Sequence, residues 1–261
     1  TFEELTKEQE SRVKLDCMLK VKSSLVKYNN CLIAKKVAAL GGTLTEPFRD
    51  KPTGNIERLE QSVVSIDIVE MSDKEKFMGK GGGSGIIISE KLIATNCHVA
   101  LMVNDGPRER FIGVKKNNKD EYTYAKLFKI DEKHDVCIII TTKHPKYQIK
   151  MIPVKKLVKF KNLERGNFVR AMGTPRSLEG HTAQGSINWL GLAKDDPSTS
   201  EALGGDTKII VHDAMIDHGS SGGPLFDKSG NLIGLNTLGI GTGGMFFITV
   251  SSDHITDLLR D

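Results

Sequence analysis

A chain of 261 residues with a net charge of +4 and 38% apolar residues can hold one large β domain or two smaller ones, with enough apolar material for a core. The charge is too mild to mark a nucleic-acid binder, and no apolar run approaches the roughly 18 residues that a membrane span needs. Thr1 is not an initiator methionine and no signal peptide is visible, so secretion is neither read nor excluded.

Residues 1–41 read as helical. Leu15, Met18, Leu19, Leu25 and Val26 follow helix spacing with Lys and Glu between them, and Gly41-Gly42 supplies a stop. Pro47, Pro52 and Gly54 break the pattern. The expected division is therefore a helical N-terminal segment over 1–45, a linker over 46–60 and a β-rich domain over 61–261. Short strands are predicted at 63–69, 85–88, 92–95, 111–114, 122–130 and 136–141, and again at 168–172, 182–190, 208–211, 224–226, 232–237 and 245–250. A helix starts at Ser251 with Ile255, Leu258 and Leu259 as its apolar face. Two groups of six strands predict an all-β fold of two packed six-stranded barrels, one over about 61–142 and the other over about 166–250.

Between the two groups lies a basic stretch: Lys143, Lys146, Lys150, Lys155, Lys156, Lys159, Lys161, Arg165 and Arg170, opposed only by Glu164. It reads as a solvated linker rather than a polyanion site, because no set of aromatic residues interleaves the charges to stack bases. No nucleic-acid partner is expected.

The chemistry gathers at Gly219-Ser220-Ser221-Gly222-Gly223-Pro224. An attacking serine needs its hydroxyl at the mouth of a cleft and backbone N–H groups aimed at the oxygen that becomes negative. Glycines permit the turn and the close approach. Such a serine requires a histidine base and a carboxylate. His98 follows the apolar run ending in Thr95-Asn96-Cys97, and Asp135 opens the run Val136-Cys137-Ile138-Ile139-Ile140. An acid there is expected to be buried and to need a partner. The order His98, Asp135, Ser221 is that of chymotrypsin-like enzymes, not of subtilisins or α/β-hydrolases. The first barrel would carry His98 and Asp135 and the second Ser221, so the triad would assemble in the cleft between them.

These segments resemble the trypsin/chymotrypsin-like serine proteases, and within them the bacterial HtrA (Deg-type) protease domain without a PDZ domain. The matching pieces are Gly83-Ser84-Gly85-Ile86-Ile87-Ile88, Thr95-Asn96-Cys97-His98-Val99, His134-Asp135-Val136-Cys137-Ile138, Ala171-Met172-Gly173-Thr174-Pro175, Gln184-Gly185-Ser186-Ile187, Gly219 through Leu225, and Gly230-Asn231-Leu232-Ile233-Gly234-Leu235-Asn236-Thr237. They run in order over roughly residues 55–261. The resemblance implies a serine endopeptidase acting on protein or peptide substrates, with no cofactor and no metal. Ser221 would attack, His98 would carry the proton, Asp135 would orient His98, and the N–H groups of Gly219 and Ser221 would form the oxyanion hole. Thr237, Leu238 and Gly239 fall where the family pairs with the substrate backbone. Met215 stands where trypsin-like enzymes keep an acid, and Ile216 near the pocket implies small or medium aliphatic side chains before the cut. Asp217, if it pointed inward, would favour basic ones.

The chain departs from the family's pattern in having helical residues 1–45, which offer a surface for an oligomer or partner contact. It also has no Ile-Val-Gly-Gly activation sequence, and Ser220 replaces the acid that such activation uses. Cys97 and Cys137 are expected as buried thiols. Cys17 and Cys31 could bridge only if their helix folds into a hairpin, since on one straight helix they would lie about 21 Å apart. A bridge would favour a periplasmic or secreted protein. The alternative to an active peptidase is a catalytically silent peptide-binding module on the same fold.

Overall fold

The computed structural model describes residues 55–71, 77–106, 108–116, 121–142, 148–174, 181–240 and 246–260. The expected N-terminal helices, residues 46–54 of the expected linker, and Cys17 and Cys31 lie outside the described residues; the rest of that linker is largely a short helix, Ile56–Glu60.

Twelve strands form two closed antiparallel barrels. The first contains β1 (Val63–Met71), β2 (Phe77–Ile87), β3 (Leu92–Thr95), β4 (Arg110–Lys115), β5 (Thr123–Asp131) and β6 (Val136–Thr141), in the spatial order β1-β2-β3-β6-β5-β4. The second contains β7 (Phe168–Gly173), β8 (His181–Leu192), β9 (Lys208–His212), β10 (Pro224–Asp227), β11 (Leu232–Ile240) and β12 (Phe246–Ser251), ordered β10-β11-β12-β9-β8-β7. Among the described residues four short α-helices accompany them: α1 (Ile56–Glu60), α2 (Cys97–Ala100), α3 (Pro197–Ser200) and α4 (Ser252–Arg260). All twelve predicted strands are present, and the fold is the all-β pair of barrels that the strand pattern implies.

Strand alternation distributes the apolar side chains among three clusters. Val64, Ile66 and Ile68 of β1 pack with Ile87, Ile93, Ile112, Val114 and Ile139 in a cluster built from the first barrel alone. Val169, Ala171, Ile187, Ile210, Leu225 and Ile233 form the counterpart in the second. The third cluster draws on both: Ile86, Ala94, Val136 and Ile138 from the first barrel meet Met172, Phe226, Leu235 and Val250 from the second. Strands β2, β3 and β6 are therefore apolar on both faces, which is why 136–140 reads as an unbroken apolar run. α4 also belongs to this junction: Ile255 is fully buried in the shared cluster, and the helix touches β5 and β6 of one barrel and β11 and β12 of the other. Leu259, assigned to the apolar face from the sequence, is exposed.

The basic connection differs from the expectation of a solvated linker. Over its described residues its backbone is strapped to both barrels. Val154 N–H donates to Ile87 O (3.0 Å), Val158 N–H donates to Leu232 O (2.8 Å), and Lys156 O accepts from Leu232 N–H (2.9 Å). Lys155, Lys156, Lys159 and Lys161 are exposed, so their charges face water while the main chain is used for pairing. Arg170 does not belong to that charged surface. It lies inside β7 at 3% exposure, with its guanidinium carbon 5.9 Å from the Phe168 ring centroid, and burial pushes its pKa down.

Candidate active site

β3 ends at Thr95, and the chain turns at once into α2, whose second residue is His98. Asp135 closes the tight turn from β5 into β6, where its N–H donates to Glu132 O (3.2 Å). Its φ of 54° places it in the left-handed region, where Asp is one of the few side chains found without a large penalty. That conformation is over-determined by its neighbours. The carboxylate, 7% exposed by residue, accepts from the His98 backbone N–H at Oδ1 (2.9 Å) and pairs with His98 Nδ1 at Oδ2 (2.8 Å). The Asp135 carbonyl accepts from Cys97 N–H (3.3 Å) and Asn96 Nδ2 (2.9 Å). An ionised carboxylate only accepts, so Nδ1 carries the imidazole proton and Nε2 is left with its lone pair. The His98 side chain is 45% exposed, which leaves that nitrogen accessible.

Cys97 and Cys137 are joined by a disulfide with Cα atoms 4.8 Å apart, and are not the two free thiols expected from the sequence. Cys137 sits opposite Thr95 in the β3–β6 ladder, and the sharp turn at Asn96 brings Cys97 back beside β6. Both sulfurs are buried. The bridge thus ties the residue before His98 to the residue two beyond Asp135.

Ser221 is presented by a turn with glycine at its strained positions. Ser220 N–H donates to Asp217 O (2.9 Å), with Gly219 at φ 93°, the left-handed third residue that a type II turn requires. Gly222 follows at φ 80°, and its N–H donates to Asn236 O (2.8 Å). A Cβ on Gly222 would run into Thr95 Oγ1 and the Ser84 carbonyl. Ser220 is buried, and its Oγ accepts from Asp217 N–H (3.3 Å).

The hydroxyl of Ser221 donates to Thr237 O at 3.4 Å; it makes no hydrogen bond to His98 among the described residues. Thr237 is nevertheless common ground. It falls at a bulge where β11 loses register with β12 between Asn236 and Leu238, so its backbone has no ladder partner there. Its Oγ1 accepts from Asn96 Nδ2 (3.1 Å). Thr237 and Leu238 line a cleft of about 340 Å³ together with His98, Asp135, Leu101 and Leu203. The structure places His98 against Asp135, and both at the edge containing Thr237 and Leu238. Gly239 continues β11 opposite Phe247. Ile216 is half-buried against the second barrel's own cluster, beside an exposed Met215. Asp217 is exposed, and its Oδ1 accepts from the adjacent His218 N–H (2.7 Å), which turns the carboxylate onto its own chain.

Sequence reasoning singled out none of Asn96, Ser84 or Thr174 as a working residue. Ser84 was legible only as a small residue between glycines in an apolar strand, yet its N–H donates to Ser221 O at 2.8 Å. Away from the cleft, Asp131, His134 and His254 lie within ligand distance of one another. The two imidazoles are stacked, with centroids 4.1 Å apart and planes 21° apart, and His254 Nε2 already accepts from Lys208 N–H (2.9 Å). Near-parallel rings send their in-plane lone pairs side by side rather than onto one ion, so this group has the character of a polar contact.

Residues 83–235 match the model of the trypsin-like peptidase domain family. The chain is 33% identical to mouse serine protease HTRA3 over 211 residues, covering 79% of this chain and 43% of the relative. It is 34% identical to the human HTRA3 protein over 211 residues (79% and 44%), and 32% identical to zebrafish serine protease HTRA1B over 208 residues (79% and 40%). The chain spans less than half the length of these curated relatives. With two six-stranded barrels, a His-Asp pair on one and a Gly-Ser-Ser-Gly-Gly turn on the other, the chain belongs to the trypsin-like peptidase family and is similar to its HtrA-type members.

Proposed function

We propose that residues 61–261 form a serine endopeptidase domain, with 1–45 as an appended helical segment and 46–60 as a linker. Ser221 Oγ attacks the scissile carbonyl and gives its proton to His98 Nε2. The oxygen that becomes negative is received by the N–H groups of Gly219 and Ser221. His98 then protonates the leaving amine, the acyl group remains on Ser221, and water activated by the same imidazole releases it. One oxyanion donor contributes about 2.7–4 kcal/mol to such a transition state. The observation that carries this reading is the double contact of the Asp135 carboxylate with His98, through Nδ1 at 2.8 Å and through the backbone N–H at 2.9 Å. It fixes the tautomer a general base needs. The present rotamer of Ser221 requires only a rotation about Cα–Cβ to leave Thr237 O, and hydrogen bonds of this kind commonly tighten when substrate arrives.

The substrate is an extended polypeptide laid along Thr237, Leu238 and Gly239, cut after a small or medium aliphatic residue received near Ile216. The Cys97–Cys137 bridge supports an oxidising compartment, the periplasm or the cell exterior. A serine-reactive fluorophosphonate probe tests the reaction class: wild type labels and Ser221→Ala does not. An unlabelled wild type would replace this reading with a silent peptide-binding module. Cleavage-site profiling in a denatured protein mixture reads the pocket, and a dominant cut after Lys or Arg would overturn the aliphatic preference. Removing residues 1–45 while measuring mass and peptidase activity tests the helical segment as an oligomer or partner contact; if neither changes, that role is wrong.

A further inference from the structure

Ser84 lies in β2 of the first barrel, is fully buried, and faces the nucleophile turn of the second. Its Oγ donates to Gly219 O at 2.7 Å, accepts from Thr174 N–H at 2.9 Å and meets Thr174 Oγ1 at 3.2 Å. Its backbone N–H donates to Ser221 O at 2.8 Å. A hydroxyl has one proton and two lone pairs. The Thr174 N–H occupies one lone pair, so the proton goes to the nearest acceptor, the Gly219 carbonyl.

The two bound carbonyls belong to Gly219 and Ser221, the residues whose N–H groups form the proposed oxyanion hole. The peptide between Gly219 and Ser220 is gripped on both edges: its oxygen by Ser84 Oγ, its N–H by Asp217 O (2.9 Å). Glycine rotates about its backbone more freely than any other residue, so the Gly219 turn is where the donor array most readily comes apart. We propose that Ser84 is a positioning residue for catalysis, whose hydroxyl and N–H hold the two oxyanion donors in register from the opposite barrel.

The packing around it leaves no slack. A Cβ on Gly173 would lie 3.1 Å from Ser84 Oγ and 3.1 Å from Ser220 Cα, and one on Gly83 would lie 2.7 Å from Ser221 O. The hydroxyl is therefore the group that couples the docking of the two barrels to the shape of the hole. In Ser84→Ala, Gly219 O and Thr174 N–H both lose this partner, and the turn keeps only its backbone anchors. This role rests on the peptidase reading above, but its structural half does not.

The test compares wild type, Ser84→Ala, Ser84→Cys and a core control, Val114→Ala, which loses packing inside the first barrel away from the cleft. In Ser84→Ala, kcat on an unfolded protein substrate and the rate of fluorophosphonate labelling should fall on the order of 10- to 100-fold, with KM changed less than threefold, approaching the loss of one oxyanion donor. Ser84→Cys, which keeps a weaker and somewhat bulkier donor, should recover part of kcat. Val114→Ala should lower the melting temperature with kcat of the folded protein unchanged. Amide exchange supplies a readout that needs no activity: the Ser220 N–H should exchange at least about tenfold faster in Ser84→Ala than in Val114→Ala, because its turn has lost an anchor. Equal Ser220 exchange in those two variants, or a Ser84→Ala kcat within twofold of wild type, overturns the proposal. Should Ser84→Ala not fold, Ser84→Gly, which also removes the hydroxyl, is read by the same two criteria. A wild type that does not label, with Ser220 exchange accelerated as expected, would reject the peptidase reading and leave the positioning of the turn by Ser84 standing.

Discussion

Replacing Cys97 and Cys137 by alanine removes a cross-link whose ends are 40 residues apart. Loop-closure entropy for that length is about 13 cal/mol/K, so the unfolded chain gains freedom equivalent to about 4 kcal/mol at 25 °C. Each kilocalorie moves the melting temperature of a domain this size by roughly 2–4 °C, which sets the expected fall at about 8–16 °C. The enclosed loop contains β4 and β5 and both walls of the His98–Asp135 pair, so the loss extends beyond stability. The segments holding His98 and Asp135 keep their backbone contacts but lose their covalent tie, and kcat should drop along with the melting temperature. Urea unfolding of the oxidised wild type and the double variant measures the first effect, and peptide cleavage below both transitions measures the second. A loss under about 1 kcal/mol would refute the reasoning, because the closure entropy worked out above is about four times larger. So would thiol titration that finds Cys97 and Cys137 free in the purified wild-type protein.

Asp135→Asn should keep the fold and reduce kcat about 10⁴-fold. An amide offers only one oxygen where two His98 N–H groups converge, so its nitrogen must face one of them; if that is the ring, the proton is driven to Nε2 and the base is lost. A steady-state assay checks this, and a loss under tenfold would deny Asp135 its orienting role. Gly222→Ala should fail to give a folded, labelling-competent protein, since the new methyl would strike Thr95 and Ser84 across the barrel interface at a positive φ; circular dichroism with probe labelling decides. His212 is fully buried and His254 nearly so, and burial pulls both pKa values down to about 4. For His254, the neighbouring His134 and Lys208 charges act in the same direction. The unfolded chain then binds more protons than the folded one between about pH 6.5 and 4. Stability from these groups is complete above pH 6.5 and is lost as pH falls through that window, on the order of 3 kcal/mol for each. Thermal melts from pH 7.5 to 4.5 should slope steeply in wild type and less so in His212→Phe; parallel slopes would sink the assignment.

The strand pattern was legible because short runs rich in β-branched residues, three to nine long, leave few alternatives, and two-faced apolar strands such as β6 stand out most clearly. The failures have local causes. β2 begins at Phe77 rather than Gly85, because the glycines at 79 and 81–83 lack the side chains that carry a strand pattern. There the glycines let two strands approach closely: a Cβ on Gly82 would collide with the Ile66 carbonyl of β1. α1, α2 and α3 are only four or five residues long, too short to show a period. The strap of 148–165 was misread because composition reports where lysines point and says nothing of where backbone N–H groups go. The His98–Asp135 pairing was visible in the motif order. The Cys97–Cys137 bridge was not, since it depends on one sharp turn at Asn96.

α4 has a consequence of its own. Lys129 of β5 donates to Leu258 O at 3.0 Å, Phe160 N–H donates to Asp253 Oδ1 at 3.0 Å, and Lys208 of β9 reaches Asp253 Oδ2 at 2.8 Å. The first turn of α4 is thus tied to the second barrel and the connection before it, and the last turn to the first barrel. Any change in the angle between the barrels must first peel this helix from one of its two footings, so α4 acts as a brace that sets how far the two halves can part.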